Sequence, residues 1–396
     1  MAAESTLTAR WILPVAGPPL ERGTITIRDG RIAAVEPRGM RTADEDLGNA
    51  AIVPGFVNAH THLDLSGARG LIAPTPGHFT DWLRGVIAFR RSRSPAVVQA
   101  DIRAGLAECL RFGTTLLGDI SADGCSWDAL AAAEVRAVVF REVIGLGRDW
   151  RDRFDAAKRW LGEGDTPMCR RAISPHAPYT VRESLLEALE DLGAMTAMHV
   201  AESPHEAELI ERRSGPFAEF LRSLGFTDLS VLAGRMVRFT RSRLIVHGNY
   251  LPVETRLHSD QSIVYCPRTH AAFGHPPHPF REFLKSGNRV CLGTDSLASN
   301  PDLDVLAEAR FLHARYPEVA GEMLRTITLA GAEALGCANE TGSLEVGKAA
   351  DLVAVPLPDR EAGPYELLFA EHDAPRRTML RGQWFKLESL KSNGMV

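Results

Sequence analysis

Between Ala51 and Asn300 the sequence alternates short β-branched or apolar runs with longer amphipathic segments. This alternation constrains the fold more than any other feature. Strands separated by helices cannot form hairpins, so they pair in parallel, and the helices cover the sheet. Eight such strands can be read: 51–60, 114–120, 135–144, 171–174, 195–201, 244–248, 262–266 and 289–293. Eight βα units predict an α/β chain, specifically a (β/α)₈ TIM barrel.

Local signals support the helices. Thr180 with Glu183 has capping-box spacing, Leu185, Leu189 and Leu192 keep one apolar face, and Gly193 follows as a stop. Ile102, Leu106, Cys109 and Leu110 form a stripe that ends at Gly113, just before the second strand. In the long connection after the first strand, Phe79, Trp82, Leu83, Val86 and Ile87 have helical spacing and predict a helix over the barrel mouth. Outside the barrel, alternating runs at Thr6–Pro37, around the turn Arg28-Asp29-Gly30, return at Ala350–Pro356 and Thr378–Phe385. The two chain ends are therefore expected to build one small β-sandwich domain from residues 1–53 and 343–396, with the barrel spanning 54–342.

A formal net charge of −5 and the lack of any Lys/Arg-dense run argue against nucleic acid or anionic membrane as partners and leave a small molecule. A homodimer is compatible with the sequence. No stretch has the apolar length of a membrane span, and residues 1–14 lack a signal-peptide pattern, so a cytoplasmic location is expected. The six cysteines show no C-x-x-C spacing and read as reduced, structural residues.

His60 and His62 stand two apart at the end of the first strand, where residues i and i+2 share a face. A lone His-x-His is more often structural than metal-binding. The pattern sharpens because His176, His199 with Glu202, His247 and Asp295 also end strands four, five, six and eight, where this fold gathers its chemistry. Three imidazoles and a carboxylate suit a borderline divalent ion, Zn²⁺ with Fe²⁺ as the alternative, and leave a position for water. Glu202 then reads either as a proton carrier or as a helix-start carboxylate near Ser203 and Pro204. The remaining histidines, His275 and His278 among them, mostly fall in helices or loops and read as surface or packing residues.

The segments PGFVNAHTHL (54–63), SPHAPY (174–179), HVAES (199–203), VHGNY (246–250) and GTDSLASN (293–300) resemble the deaminase branch of the amidohydrolase superfamily, as does GSLEVGKAADLV (342–353). The resemblance implies His60, His62, His199 and Asp295 as metal ligands, Glu202 as proton shuttle, His247 and Asp295 as guides of the attacking water, and His176 as a substrate contact. Binuclear members carry a strand-four lysine; none occurs between Arg159 and Arg213 here, which implies one metal ion. Trp82 and Arg141 are further substrate-binding candidates.

The implied reaction is hydrolytic deamination of an aminated aromatic N-heterocycle. Leu292–Leu303 with Cys266–His270 is most similar to aminodeoxyfutalosine deaminase-like proteins, which act on a 6-aminopurine nucleoside in menaquinone biosynthesis. Adenosylhomocysteine/methylthioadenosine, guanine and cytosine deaminases and triazine chlorohydrolases share the metal shell. The chain carries Phe89 and Arg91 where methylthioadenosine-type enzymes have Pro and Glu, and Thr269-His270 where relatives often have Ser-Asn. The non-enzyme alternative is a silent scaffold, which retention of every ligand position disfavours.

Overall fold

The computed structural model describes residues 4–133, 135–234, 241–372 and 374–386. The outermost residues assigned above to the small domain, 1–3 and 387–396, lie outside these. All eight expected strands form, as Phe56–Thr61, Thr114–Ala122, Arg136–Val143, Cys169–Pro175, Ala197–Val200, Leu244–His247, Ser262–Tyr265 and Val290–Leu292. They make two four-stranded parallel sheets, each in sequence order. Parallel bridges join their outer strands at both seams, Ile173 with Thr196 and Thr61 with Asp295.

The first expected strand is in fact two. Ala50–Pro54 joins a six-stranded sheet built from both chain ends, and Phe56–Thr61 enters the parallel sheet. The break falls at Gly55, where a Cβ would lie 2.0 Å from Thr115 Oγ1. Only a residue without a side chain lets the chain pass from one sheet to the other there. In the six-stranded sheet, Leu352–Pro356 pairs antiparallel with Ala50–Pro54 and with Arg377–Leu380. The hairpin Thr24–Arg28 to Arg31–Glu36 turns at Asp29 (φ 52°) and Gly30 (φ 74°), the two positive φ values of a tight β-turn.

The mouth helix forms as Phe79–Arg91, and the stripe ending before Gly113 lies on Pro95–Arg111. The expected capping box at Thr180 does not form. The Thr180 hydroxyl is taken up by Ala177 and His176, and the helix starts later, at Glu183 behind an extended Arg182. A capping box does form at Ser203 and Glu206, opening the helix Pro204–Arg212. All six cysteines are unpaired. Among the described residues no helix is long and apolar enough to cross a membrane.

Candidate metal centre

The strand ends bring His60, His62, His199, His247, Glu202 and Asp295 together, all buried. Asp295 Oδ1 lies 3.5 Å from His60 Nε2 and 3.6 Å from His62 Nε2, and His62 Nε2 lies 3.3 Å from His199 Nε2. Donor atoms about 2.1 Å from a shared ion, at tetrahedral angles, stand roughly 3.4 Å apart. The observed separations fit that spacing. The unsatisfied atoms fit too: among the described residues neither nitrogen of His60 has a hydrogen-bond partner, nor does His62 Nδ1 or His247 Nε2. Buried groups left in this state are costly without a ligand to gather them.

Surrounding bonds aim the donors. His199 Nδ1 donates to the His176 carbonyl at 2.8 Å, which turns Nε2 inward. Ser299 occupies the other oxygen of Asp295 at 2.8 Å. His247 (φ 68°), the last residue of its strand, and Asp295 (φ 59°), three residues past the end of its own, both sit in the left-handed region. Such backbone is tolerated only where neighbours hold it. The His278 ring donates to the His247 carbonyl at 2.9 Å, and the Thr61 hydroxyl donates to the Asp295 carbonyl at 3.2 Å.

Burial drives His62, His199 and His247 well below the ordinary imidazole range, with neighbouring imidazoles adding to the effect. Neutral rings are the form that binds a metal. Burial, reinforced by Asp295, raises Glu202 well above the usual carboxylate value. Its carboxylate lies 3.4 Å from His247 Nε2. Glu206, not Glu202, serves the helix start: its carboxylate accepts from the backbone N–H groups of Ala201, Glu202 and Ser203. The Glu202 side chain is thereby left for the cavity.

That cavity is about 50 Å³ and is lined by His62, His176, His199, Glu202, His247 and Asp295, with Trp82, Val86 and Arg90 of the mouth helix above. Trp82 is pinned by an Nε1–H bond to the Ala298 carbonyl at 2.9 Å. Arg141 is not brought to this cavity; its guanidinium goes to Asp123 at 2.7 Å. A larger cavity of about 880 Å³ lies elsewhere, among Arg268, Arg310 and Arg376, and contains none of the candidate residues.

Three neighbours were not foreseen from the sequence. Arg90 donates to Glu142 at 2.8 Å and forms an ion pair with Asp64 at 3.1 Å; Arg90 and Glu142 line the cavity. Asp64 follows the HTHL motif directly, and Glu142 adjoins Arg141 with opposite strand parity. Those positions were the only available signals.

Set against known proteins, the chain defines its class: residues 51–385 match the amidohydrolase family, and the chain belongs to it. It is a metal-dependent hydrolase of C–N bonds. Among its relatives is the 5-methylthioadenosine/S-adenosylhomocysteine deaminase of Moorella thermoacetica, 32% identical over 87% of this chain and 83% of the relative. The aminodeoxyfutalosine deaminase of Nitratiruptor sp. is 29% identical over 78% of this chain and 80% of the relative. Among solved structures, a zinc-bound adenosine deaminase from Xanthomonas campestris superposes with a TM-score of 0.80 at 25% identity, covering 98% of this chain and 96% of that one.

Proposed function

We propose that this protein deaminates an adenosine-like nucleoside by hydrolysis, using one divalent ion held by His60, His62, His199 and Asp295. The observation that carries this reading is the set of donor separations of 3.3–3.6 Å that link those four side chains, His60 and His62 each to Asp295 and His62 to His199, with Glu202 and His247 in contact beside them. We further infer that the eight parallel strands close into a (β/α)₈ barrel over residues 54–342, which the bridges at both seams support. Residues 1–53 and 343–396 would then form the β-sandwich.

A bound Zn²⁺ or Fe²⁺ would supply water activated for attack. The chain's own residues supply the rest. Glu202 takes a proton from the attacking water and delivers it to the ring nitrogen beside the amino-bearing carbon. His247 and the Asp295 carboxylate hold the water on line with that carbon; Glu202, ionised again, then takes the remaining proton of the added hydroxyl and passes it to the amine, which leaves as ammonia as the C–N bond breaks and C=O forms. His176 and Trp82 bound the space for the base and sugar. A cavity of about 50 Å³ is well below the roughly 300 Å³ of small-molecule sites, so the site has to widen to admit substrate.

Within this class, aminodeoxyfutalosine is the reading carried by the Leu292–Leu303 and Cys266–His270 segments. The Moorella relative favours 5-methylthioadenosine as the second substrate to test. The test is ammonia release from a panel of adenosine, 5-methylthioadenosine, S-adenosylhomocysteine, aminodeoxyfutalosine, guanine and cytosine. Turnover is expected on at least one adenine nucleoside and above that on either free base. Activity confined to the bases, or none, contradicts the proposal.

A further inference from the structure

Glu142 is a buried carboxylate with only one of its oxygens used. Oε2 accepts from Arg90 at 2.8 Å, while Oε1 has no hydrogen-bond partner among the described residues. Oε1 lies 3.7 Å from His176 Nε2, and both side chains line the cavity. A carboxylate oxygen left buried and unbonded is costly, and a donor from outside the chain relieves that cost.

The neighbourhood of His176 defines what that donor must be. The Thr180 hydroxyl donates its one hydrogen to the Ala177 carbonyl at 3.1 Å and accepts from the Ala177 N–H at 3.1 Å. With the hydroxyl's hydrogen on that carbonyl, the 2.9 Å contact with His176 Nδ1 is donated by the ring. In that arrangement the hydrogen of the neutral imidazole is on Nδ1, and Nε2 carries a lone pair. Glu142 Oε1 and His176 Nε2 are two acceptors 3.7 Å apart. They cannot satisfy each other. A group that presents two adjacent hydrogens can satisfy both.

We propose that Glu142 and His176 together receive the vicinal diol of the substrate's ribose, one hydroxyl to each acceptor. This rests on the nucleoside reading above and adds to it a specificity-determining residue, Glu142, and the chemical group it reads. Arg90, fixed between Glu142 and Asp64, holds the carboxylate in place and comes from the mouth helix that covers the site. Sugar recognition and closure of the mouth are thereby joined in one ion-paired cluster.

The test compares kcat/KM for a ribonucleoside and its 2′,3′-dideoxy counterpart, in the metal-loaded wild type and in Glu142→Gln, with metal content and thermal unfolding measured alongside. The wild type is expected to prefer the ribonucleoside by about 10²-fold or more, because removing the diol leaves two buried acceptors unpaired. In Glu142→Gln the new amide can donate to His176 Nε2 itself, so the preference should fall to within about threefold, mainly by loss on the ribonucleoside. A wild type that turns over both substrates equally overturns the inference without any variant. So does a folded, metal-replete Glu142→Gln that keeps the full preference. A wild type inactive on every adenine nucleoside overturns the functional reading, and this inference with it.

Discussion

The Ser299 hydroxyl donates to Asp295 Oδ2 over 2.8 Å, and this bond decides which carboxylate oxygen is left to face His60 and His62. Without it the carboxylate can rotate and share its oxygens differently. Ser299→Ala is expected to weaken divalent-ion affinity about 10- to 100-fold. The stability of the metal-free chain should change by only about 1 kcal/mol. Competition against a chromophoric chelator reads the first and urea unfolding the second; unchanged affinity would remove Ser299 from the support of the site.

Gly293 precedes Asp295 by two residues and lies against His60. A methyl group there would meet the His60 carbonyl oxygen at 2.7 Å and the His60 Cβ at 2.8 Å. Because the obstacle is largely backbone, it cannot swing aside, and Gly293→Ala should destabilise the chain by about 1–3 kcal/mol while lowering metal occupancy. Gly321, with nothing within 4 Å, is the control and should tolerate alanine. Equal unfolding curves for the two variants would contradict the packing argument.

His60→Ala and Asp295→Ala should each abolish stoichiometric metal retention, since each opens the set of four donors and strands the rest in a buried site. Elemental analysis of the wild type is expected to give one ion per chain, because strand Cys169–Pro175 presents no lysine that could bridge a second. A reproducible ratio near two would contradict the single-ion assignment.

Burial, with His275 adding to it, lowers His270 to about 4. The unfolded imidazole titrates near 6.5, so between those values the unfolded chain binds the extra proton. The stabilising contribution is present at neutral pH and is lost as pH falls below about 6.5. At about pH 5 His270 should cost about 2 kcal/mol relative to neutral pH, and His270→Asn should lose correspondingly less on acidification. Urea unfolding with chelator at both pH values reads the difference; parallel losses in the two proteins would show that His270 titrates normally.

The strands were legible because each is a compact apolar run bounded by helical periodicity, and the metal-site candidates because they recur at strand ends. What escaped the sequence depended on contacts between distant segments. Gly55 divides the first strand only because Thr115 passes beside it. Thr180 has the spacing of a cap, yet His176 and Ala177 compete for its hydroxyl. Arg141 stood out as a charged residue at a strand end, but strand alternation turns Glu142 to the cavity, and Glu142 acquires meaning only through Arg90, 52 residues away. His278 read as a packing residue and proves to hold the carbonyl of His247.

In the proposed reaction Glu202 moves protons beside a metal ion it does not itself hold. The most direct measurement is ammonia release by Glu202→Gln on the best nucleoside substrate, with metal content determined on the same preparation. Glutamine keeps the shape but can neither accept the proton of water nor deliver one to the ring. Full metal occupancy is expected, with turnover reduced about 10²- to 10⁴-fold, equivalent to roughly 3–5 kcal/mol of barrier. A metal-replete variant that deaminates within a few-fold of wild type would contradict this role of Glu202.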